Sequence, residues 1–413
     1  MVTIAVKSFL RRFAPMKRIV ILDSLRGFAL LGIAIANYPE FSLYSFLSDS
    51  EQSAMPTADA DMLTRWLELV FVDGKFYTIF SVLFGIGFSI ILRNCMARGI
   101  GGMKVFYRRM AVLAVIGVAH LLLLWSGDIL LLYALMGMLL PLWSKCSVKS
   151  LLICAVALLA LPVICDTLIS VTGVDPSEGP YRLWWDTAAA YGITESNFAT
   201  WLRDADGYAD VHAFLMQGAW ERMWEFVDSH RYFKVLGLFL IGYAIGKSEM
   251  YTHVETHLPF IRRVCWCAMC IGLPLSVAYA WSCVNGHPLG DIAHALLYAM
   301  SVYPLGIAYM AGITLVYERY SHWRIWTALA MPGRMSLTCY LMESVVGIMM
   351  YYGIGCGLGL SMGLWQVLLV SVVVYVVLMA LAAVWLRWMK YGPCEWIWKM
   401  LTYGKWMSIT ERN

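Results

Sequence analysis

Two groups of polar residues stand in segments that are otherwise apolar enough to cross a bilayer. The first is Asp23 and Arg26, inside the run IVILDSLRGFALLGIAIANY from Ile19 to Tyr38. Three positions apart, they share one helical face. An arginine at such a depth costs roughly 2.5–3.5 kcal/mol on insertion, so a helix that served only as an anchor would not keep it. Arg93, Arg108 and Arg109 fall at the same end of the neighbouring apolar runs. Guanidinium groups hold phosphate through planar, two-pronged donors that lysine cannot match, which makes these five residues a candidate anion site. Positive-inside anchoring accounts for Arg93, Arg108 and Arg109 as well, and an Asp23–Arg26 pair that ties helices together is the competing role for the other two.

The second group is Asn37, Asp73, Lys75, His120 and Asp128, which close or open apolar runs at the opposite end. An imidazole exchanges protons near neutral pH, and a neighbouring carboxylate orients it and stabilises its cation. That combination can take a proton from a hydroxyl or an amine. The structural alternatives are specific. Asp128 follows a glycine and opens a helix, as an N-cap does, and Lys75 can snorkel to the headgroups. His120 is flanked by apolar residues and needs a polar partner, whether as a base or as a packed side chain. No second ligand stands three or four residues away, so no metal is expected there.

The elements that position these groups follow from composition. The chain has 413 residues, 61% hydrophobic and 14% charged, with a mean hydropathy of +0.67. This predicts an all-α polytopic membrane protein with about ten transmembrane helices. The spans begin at Ile19, Gly74, Tyr107, Asp128, Leu151, Tyr232, Val264, Ile292, Met335 and Leu364. Met62 to Phe71 reads as a short interfacial helix. The expected divisions are a basic N-terminus (1–18), an N-terminal membrane half (19–171), an aromatic-rich extracytoplasmic segment (172–231), a C-terminal membrane half (232–390) and an interfacial tail (391–413). Alternating the spans from a cytoplasmic start leaves most of the 31 lysines and arginines inside, with both termini cytoplasmic. The start reads as uncleaved, and Arg11-Arg12-Phe13 lacks the surroundings of a twin-arginine signal.

The basic residues are dispersed, which excludes nucleic acid as a partner. Eleven cysteines lie mostly in apolar runs, so neither a disulfide framework nor a metal centre is expected. His253-Val-Glu255-Thr-His257 misses the zincin spacing. Gly32, Gly85 and Gly87 suit close helix packing. Trp184, Trp185, Trp201, Trp220 and Trp224 suit either a sugar platform or an aromatic belt. Glu343 reads as a hydrogen-bonding partner of a neighbouring helix.

Several segments together resemble one family. They are LDSLRGFALLGI at Leu22 to Ile33, FSVLFGIGF at Phe80 to Phe88, GVAH at Gly117 to His120, GDILLLYALMG at Gly127 to Gly137, GRMSLTCYL at Gly333 to Leu341 and YGPCEW at Tyr391 to Trp396. In that order they resemble the YeiB family of bacterial inner-membrane proteins, whose first helix is similar to those of acyltransferase-3 proteins and heparan-glucosaminide acetyltransferases. The resemblance implies a bacterial cytoplasmic-membrane location and a transmembrane-acyltransferase-like bundle. It also implies an acyl-coenzyme A donor, acetyl-coenzyme A foremost, on the cytoplasmic side, and a carbohydrate or amine acceptor outside. Acyltransferase-3 members place their essential histidine eleven residues after the motif arginine; here Asn37 stands there. The histidine function then falls to His120 or is absent.

On this basis the inner arginines receive the nucleotide phosphates and the pantetheine arm threads the bundle. His120 activates the acceptor with help from Asp128, Asp73 lies at the same depth, and Asn37 and Lys75 donate to the oxyanion. The proposal requires a passage between Arg26 and His120. The alternative is a small-molecule transporter or exporter using the same polar groups as a pathway. Membrane lipid is the surrounding partner in either case, and a homodimer stays open.

Overall fold

The computed structural model describes residues 19–410, so the basic segment 1–18 lies outside the described residues. The chain is an all-α polytopic membrane protein. Helices α1 (Val20–Phe41), α2 (Asp49–Ala54), α3 (Ala58–Phe71), α4 (Lys75–Ala97), α5 (Gly102–Leu123), α6 (Leu130–Leu139) and α7 (Val148–Thr172) form the first half. The middle segment holds α8 (Glu178–Ala190), α9 (Phe198–Trp201) and α10 (Tyr208–Asp228). The second half has α11 (Arg231–Lys247), α12 (Val254–Val284), α13 (Asp291–Arg319), α14 (Arg324–Arg334), α15 (Ser336–Tyr351) and α16 (Leu364–Trp385), followed by the tail helix α17 (Pro393–Tyr403).

Among the described residues, seven helical stretches are long and apolar enough to cross a membrane, with α3 and α4 joined into one of 40 residues. Gly74 interrupts that stretch with a φ of +72°, in a spot where a Cβ would press on Val302 and the Tyr298 hydroxyl. The spans expected at Asp128, Tyr232 and Met335 fall on shorter helices, of 10, 17 and 16 residues. Apolarity is visible in sequence, but the irregular links that shorten these helices are not.

Helix α3 is packed with its polar face inward. Asp61 and Glu68 are buried, while Met62, Leu63, Leu67 and Phe71 face outward. The Ser276 hydroxyl of α12 donates to the Val70 carbonyl (2.7 Å), and Trp365 N–H donates to Asp61 (3.0 Å). An amphipathic segment that satisfies its polar side against protein can turn its apolar side to lipid.

Small residues bring helices into backbone contact. A Cβ on Gly85 would strike the Phe239 carbonyl, and one on Gly242 the Val82 carbonyl, so α4 and α11 cross glycine to backbone in both directions. Gly27 meets Leu329 in the same way, and Gly333 meets Asp23, which locks α14 onto α1. Ser24 Oγ adds a hydrogen bond to the Trp326 carbonyl (2.8 Å). Gly32 seats the Phe76 ring, whereas Gly87 has open space over it.

The aromatic segment joins the core of α1, α15 and α16 through Ala188, Ile193, Val211 and Phe214. Trp184 is sandwiched between Trp185 (centroids 5.0 Å apart) and Trp224 (5.3 Å), and its Nε1 donates to Gln217. Both faces of Trp184 are thereby used.

Candidate functional site

His120 ends α5, and the chain then makes an irregular link over Leu124 to Ile129 before α6. That link returns Asp128 to the imidazole, with Oδ1 at 2.9 Å from Nδ1. Its second oxygen accepts the Leu131 N–H (2.7 Å), so the carboxylate both caps α6 and holds the ring. An ionised carboxylate can only accept, which puts the proton on Nδ1 and leaves Nε2 as an acceptor. Nε2 faces the hydroxyl of Ser344 on α15 at 3.0 Å. His120 is 3% exposed, and Asp128 and Ser344 are each 1% exposed. Carboxylate, imidazole and hydroxyl thus form one buried series, the order of groups that serves acyl transfer on several unrelated folds.

The link is braced from outside. Arg222 of α10 donates through Nε to the Ser126 carbonyl (2.9 Å) and pairs with Glu225 and with Glu40. Tyr340, one turn before Ser344, lies against His120 at 5.2 Å between ring centroids and donates to the Gly127 carbonyl (3.4 Å).

Tyr340 is also the wall of a cavity of about 310 Å³. The cavity is lined by Tyr340, Ile129, Leu130 and further apolar side chains and by Arg26, Arg109 and Arg334; His120, Asp128 and Ser344 do not line it, so the passage expected from Arg26 ends at Tyr340, short of His120. Arg26 pairs with Asp23 (2.8 Å) and keeps 27% of its side chain exposed. Arg109 lies over the Trp398 ring at 3.5 Å, and Trp398 Nε1 returns a hydrogen bond to the Arg109 carbonyl (2.9 Å). Glu395 accepts the Leu337 and Thr338 N–H groups (2.7 and 3.1 Å) and the Thr338 hydroxyl (2.6 Å), capping α15. Burial raises its pKa, opposed by those same donors. The tail helix therefore forms part of the cavity wall as well as an outer surface.

Comparison with known proteins bears on the whole chain. The family model described as "Protein of unknown function (DUF418)" matches residues 245–405. The uncharacterized protein YxaH of Bacillus subtilis strain 168 is 28% identical, covering 96% of this chain and 97% of its own. The uncharacterized protein YeiB of Escherichia coli K12 is 27% identical, covering 96% of this chain and 100% of its own. The chain is thus similar over nearly its whole length to YeiB-like proteins, at 27–28% identity. An uncharacterized 39.9 kDa protein in the amylase 3' region of Bacillus acidopullulyticus is 25% identical over 94% of this chain and 95% of its own. No solved structure matches at a significant level. The window matched by the family model holds Arg334, Ser344, Glu395 and Trp398, while Arg26, Arg109, His120 and Asp128 lie before it.

The remaining expected residues go elsewhere. Arg93 pairs with Glu249 (2.9 Å) and Arg108 is exposed beside Gly404; neither lines the cavity. Asp73 and Lys75 join α12 instead of His120: the Tyr279 hydroxyl donates to Asp73 (2.6 Å), and Lys75 Nζ donates to the Leu69 carbonyl (2.6 Å) with the Tyr279 ring 5.4 Å away. Asn37 is half-buried in the last turns of α1. Glu343 corrects the expectation of a hydrogen bond to a neighbouring helix. It is 2% exposed and neither carboxylate oxygen has a partner, as holds for the Tyr38 and Tyr351 hydroxyls.

Sequence reasoning missed Ser344 and Arg334. A serine in an apolar helix resembles the packing serines Ser276, Ser301 and Ser371, all fully buried. The one available signal was its place beside Glu343. It also missed a group of donor atoms from Cys283, His287 and His294, all within 4.8 Å of one another, whereas His253, Glu255 and His257 form no such group among the described residues.

Proposed function

We propose that the protein is a transmembrane acyltransferase in the bacterial cytoplasmic membrane. It moves an acyl group from cytoplasmic acyl-coenzyme A, acetyl-coenzyme A foremost, to an extracytoplasmic sugar or amine. The observation that carries this is the buried Asp128–His120–Ser344 series next to the wall of a cavity that three arginines also line. Arg26, Arg109 and Arg334 are the phosphate-binding groups in this reading, replacing Arg93 and Arg108. The positive-inside pattern supports a cytoplasmic arginine end.

Ser344 gives the series a nucleophile. His120 Nε2 takes the hydroxyl proton as Ser344 Oγ attacks the thioester carbonyl; the carbon–sulfur bond breaks, and the departing thiolate takes that proton from His120. The acceptor hydroxyl or amine then attacks the seryl ester with His120 again as base, and Ser344 recovers its proton. Asp128 keeps the ring in the right tautomer and stabilises its cation. Lys75, engaged by the Leu69 carbonyl, is not assigned an oxyanion role. The apolar walls exclude water from the thioester.

The test is a thermal-shift titration of detergent-purified protein with acetyl-coenzyme A, combined with trapping of label from radioactive acetyl donor. The parent and Ser344→Ala are stabilised by the ligand, and Arg26→Ala is stabilised less. Label accumulates on Ser344 in the parent, and His120→Ala lowers labelling by roughly 10²–10⁴-fold while ligand binding persists. Absence of stabilisation at millimolar ligand, with Arg26→Ala behaving like the parent, rejects the reading. Loss of both binding and labelling in His120→Ala assigns that residue to folding.

A further inference from the structure

The second large cavity, about 660 Å³, opens among Tyr44, Asp49, Asp59, Asp61 and Arg65, and Cys283 stands in its wall. Cys283 ends α12, the turn Val284 to Gly290 follows, and α13 begins at Asp291. The turn is tied by a hydrogen bond from the His287 N–H to the Ser282 carbonyl (2.9 Å). It returns His287 and His294 to the cysteine, so the thiol sulfur and one nitrogen of each ring lie within 4.8 Å of one another. The two imidazoles stack at 3.7 Å between centroids and 22° between planes, an arrangement with no hydrogen bond between the rings. All three residues are half-buried.

We propose that Cys283, His287 and His294 bind a divalent transition metal ion of the zinc class, with a fourth position open to the acidic cavity. A thiolate and two imidazoles are the donor set of zinc and copper and are poor ligands for magnesium or calcium. A tetrahedral zinc ion keeps nitrogen and sulfur donors roughly 3.3–3.8 Å apart with each imidazole's in-plane lone pair aimed at the metal, so binding requires the two stacked rings to rotate apart as the donors close by about 1 Å. The surrounding polar groups already suit the ligands. His287 Nδ1 lies 3.5 Å from Asp291 Oδ1, and His294 Nδ1 lies 3.2 Å from Ser282 Oγ, which leaves Nε2 of each ring for the ion. Asp49, Asp59 and Asp61 make the entrance attractive to cations. Three protein ligands with a vacant fourth position is the pattern of sites that exchange a bound water for another ligand. The proposal does not depend on the acyl-transfer reading, because Ser344 and His120 take no part in it.

The full-length protein, purified in detergent, stripped with chelator and then titrated with cobalt(II), tests it. The expected result is one equivalent bound, with a thiolate-to-cobalt absorption band that zinc(II) bleaches by displacement. Cys283→Ala abolishes the band, and His287→Ala and His294→Ala each weaken zinc binding at least tenfold. The His287 side chain is 41% exposed, so His287→Ala keeps the fold testable even if Cys283→Ala melts early. Absence of a band in the parent, or its persistence in Cys283→Ala, overturns the site. Unchanged zinc affinity in both histidine variants does the same.

Discussion

Glu221 lies on α10 next to Arg222, the residue that braces the link carrying Asp128. Burial first, then the charges of Glu40 and Glu225 against the opposing pull of Arg222, push its pKa up to about 8 from an ordinary 4.5. A carboxyl group whose folded pKa is raised binds its proton more tightly in the folded state. Its stabilisation is complete below about pH 4.5 and is lost as pH rises through about 8. The melting temperature of the parent is therefore expected to fall between about pH 5 and about pH 8, and Glu221→Gln to flatten part of that fall. Equal slopes for the two proteins count against the assignment. At this scale His120 and Asp128 were legible, because a lone imidazole and a carboxylate across a glycine turn are conspicuous in apolar sequence. Ser344 was not, because a hydroxyl costs little to bury and leaves no mark on hydropathy.

Helices α1 and α14 are held at a spacing that only glycine permits, and the same contact presents Arg26 and Arg334 to one cavity. A methyl group at Gly27 runs into the Leu329 carbonyl, so Gly27→Ala is expected to destabilise by about 1–3 kcal/mol. Gly87 lies in α4 with nothing within 4 Å of the added carbon. There alanine gains helix propensity, up to about 1 kcal/mol, and Gly87→Ala should melt at the same temperature as the parent or higher. Opposite signs for the two substitutions in a thermal melt check the packing; a loss at Gly87 equal to that at Gly27 contradicts it. Both glycines occur in apolar sequence, and neither its neighbours nor its spacing tells which one touches a helix and which one faces space. Helix α14 itself was not foreseen, since its residues carry too few apolar positions to register as a span.

Across the whole molecule, the arginine end and the His120 end mark the two sides of the bundle. With the arginine end cytoplasmic, a fluorescent protein fused at the C-terminus is expected to fluoresce, and alkaline phosphatase fused there to stay inactive. A phosphatase inserted in the exposed turn at Glu195 is expected to be active. The reverse pattern would detach the proposed donor side from the cell interior. Sequence by itself determined the membrane class, the positions of most helices and the intramembrane polar residues, because a bilayer penalises every exposed polar group and so writes its constraint into hydropathy. Tertiary structure alone decided which polar residues meet. Ser344 lies 224 positions from His120, and Asp73 and Lys75 turn to α12 although they share the apolar-run ends with His120. Depth along the membrane normal can be counted in residues, but the angular order of helices around the bundle depends on side-chain fit between distant segments.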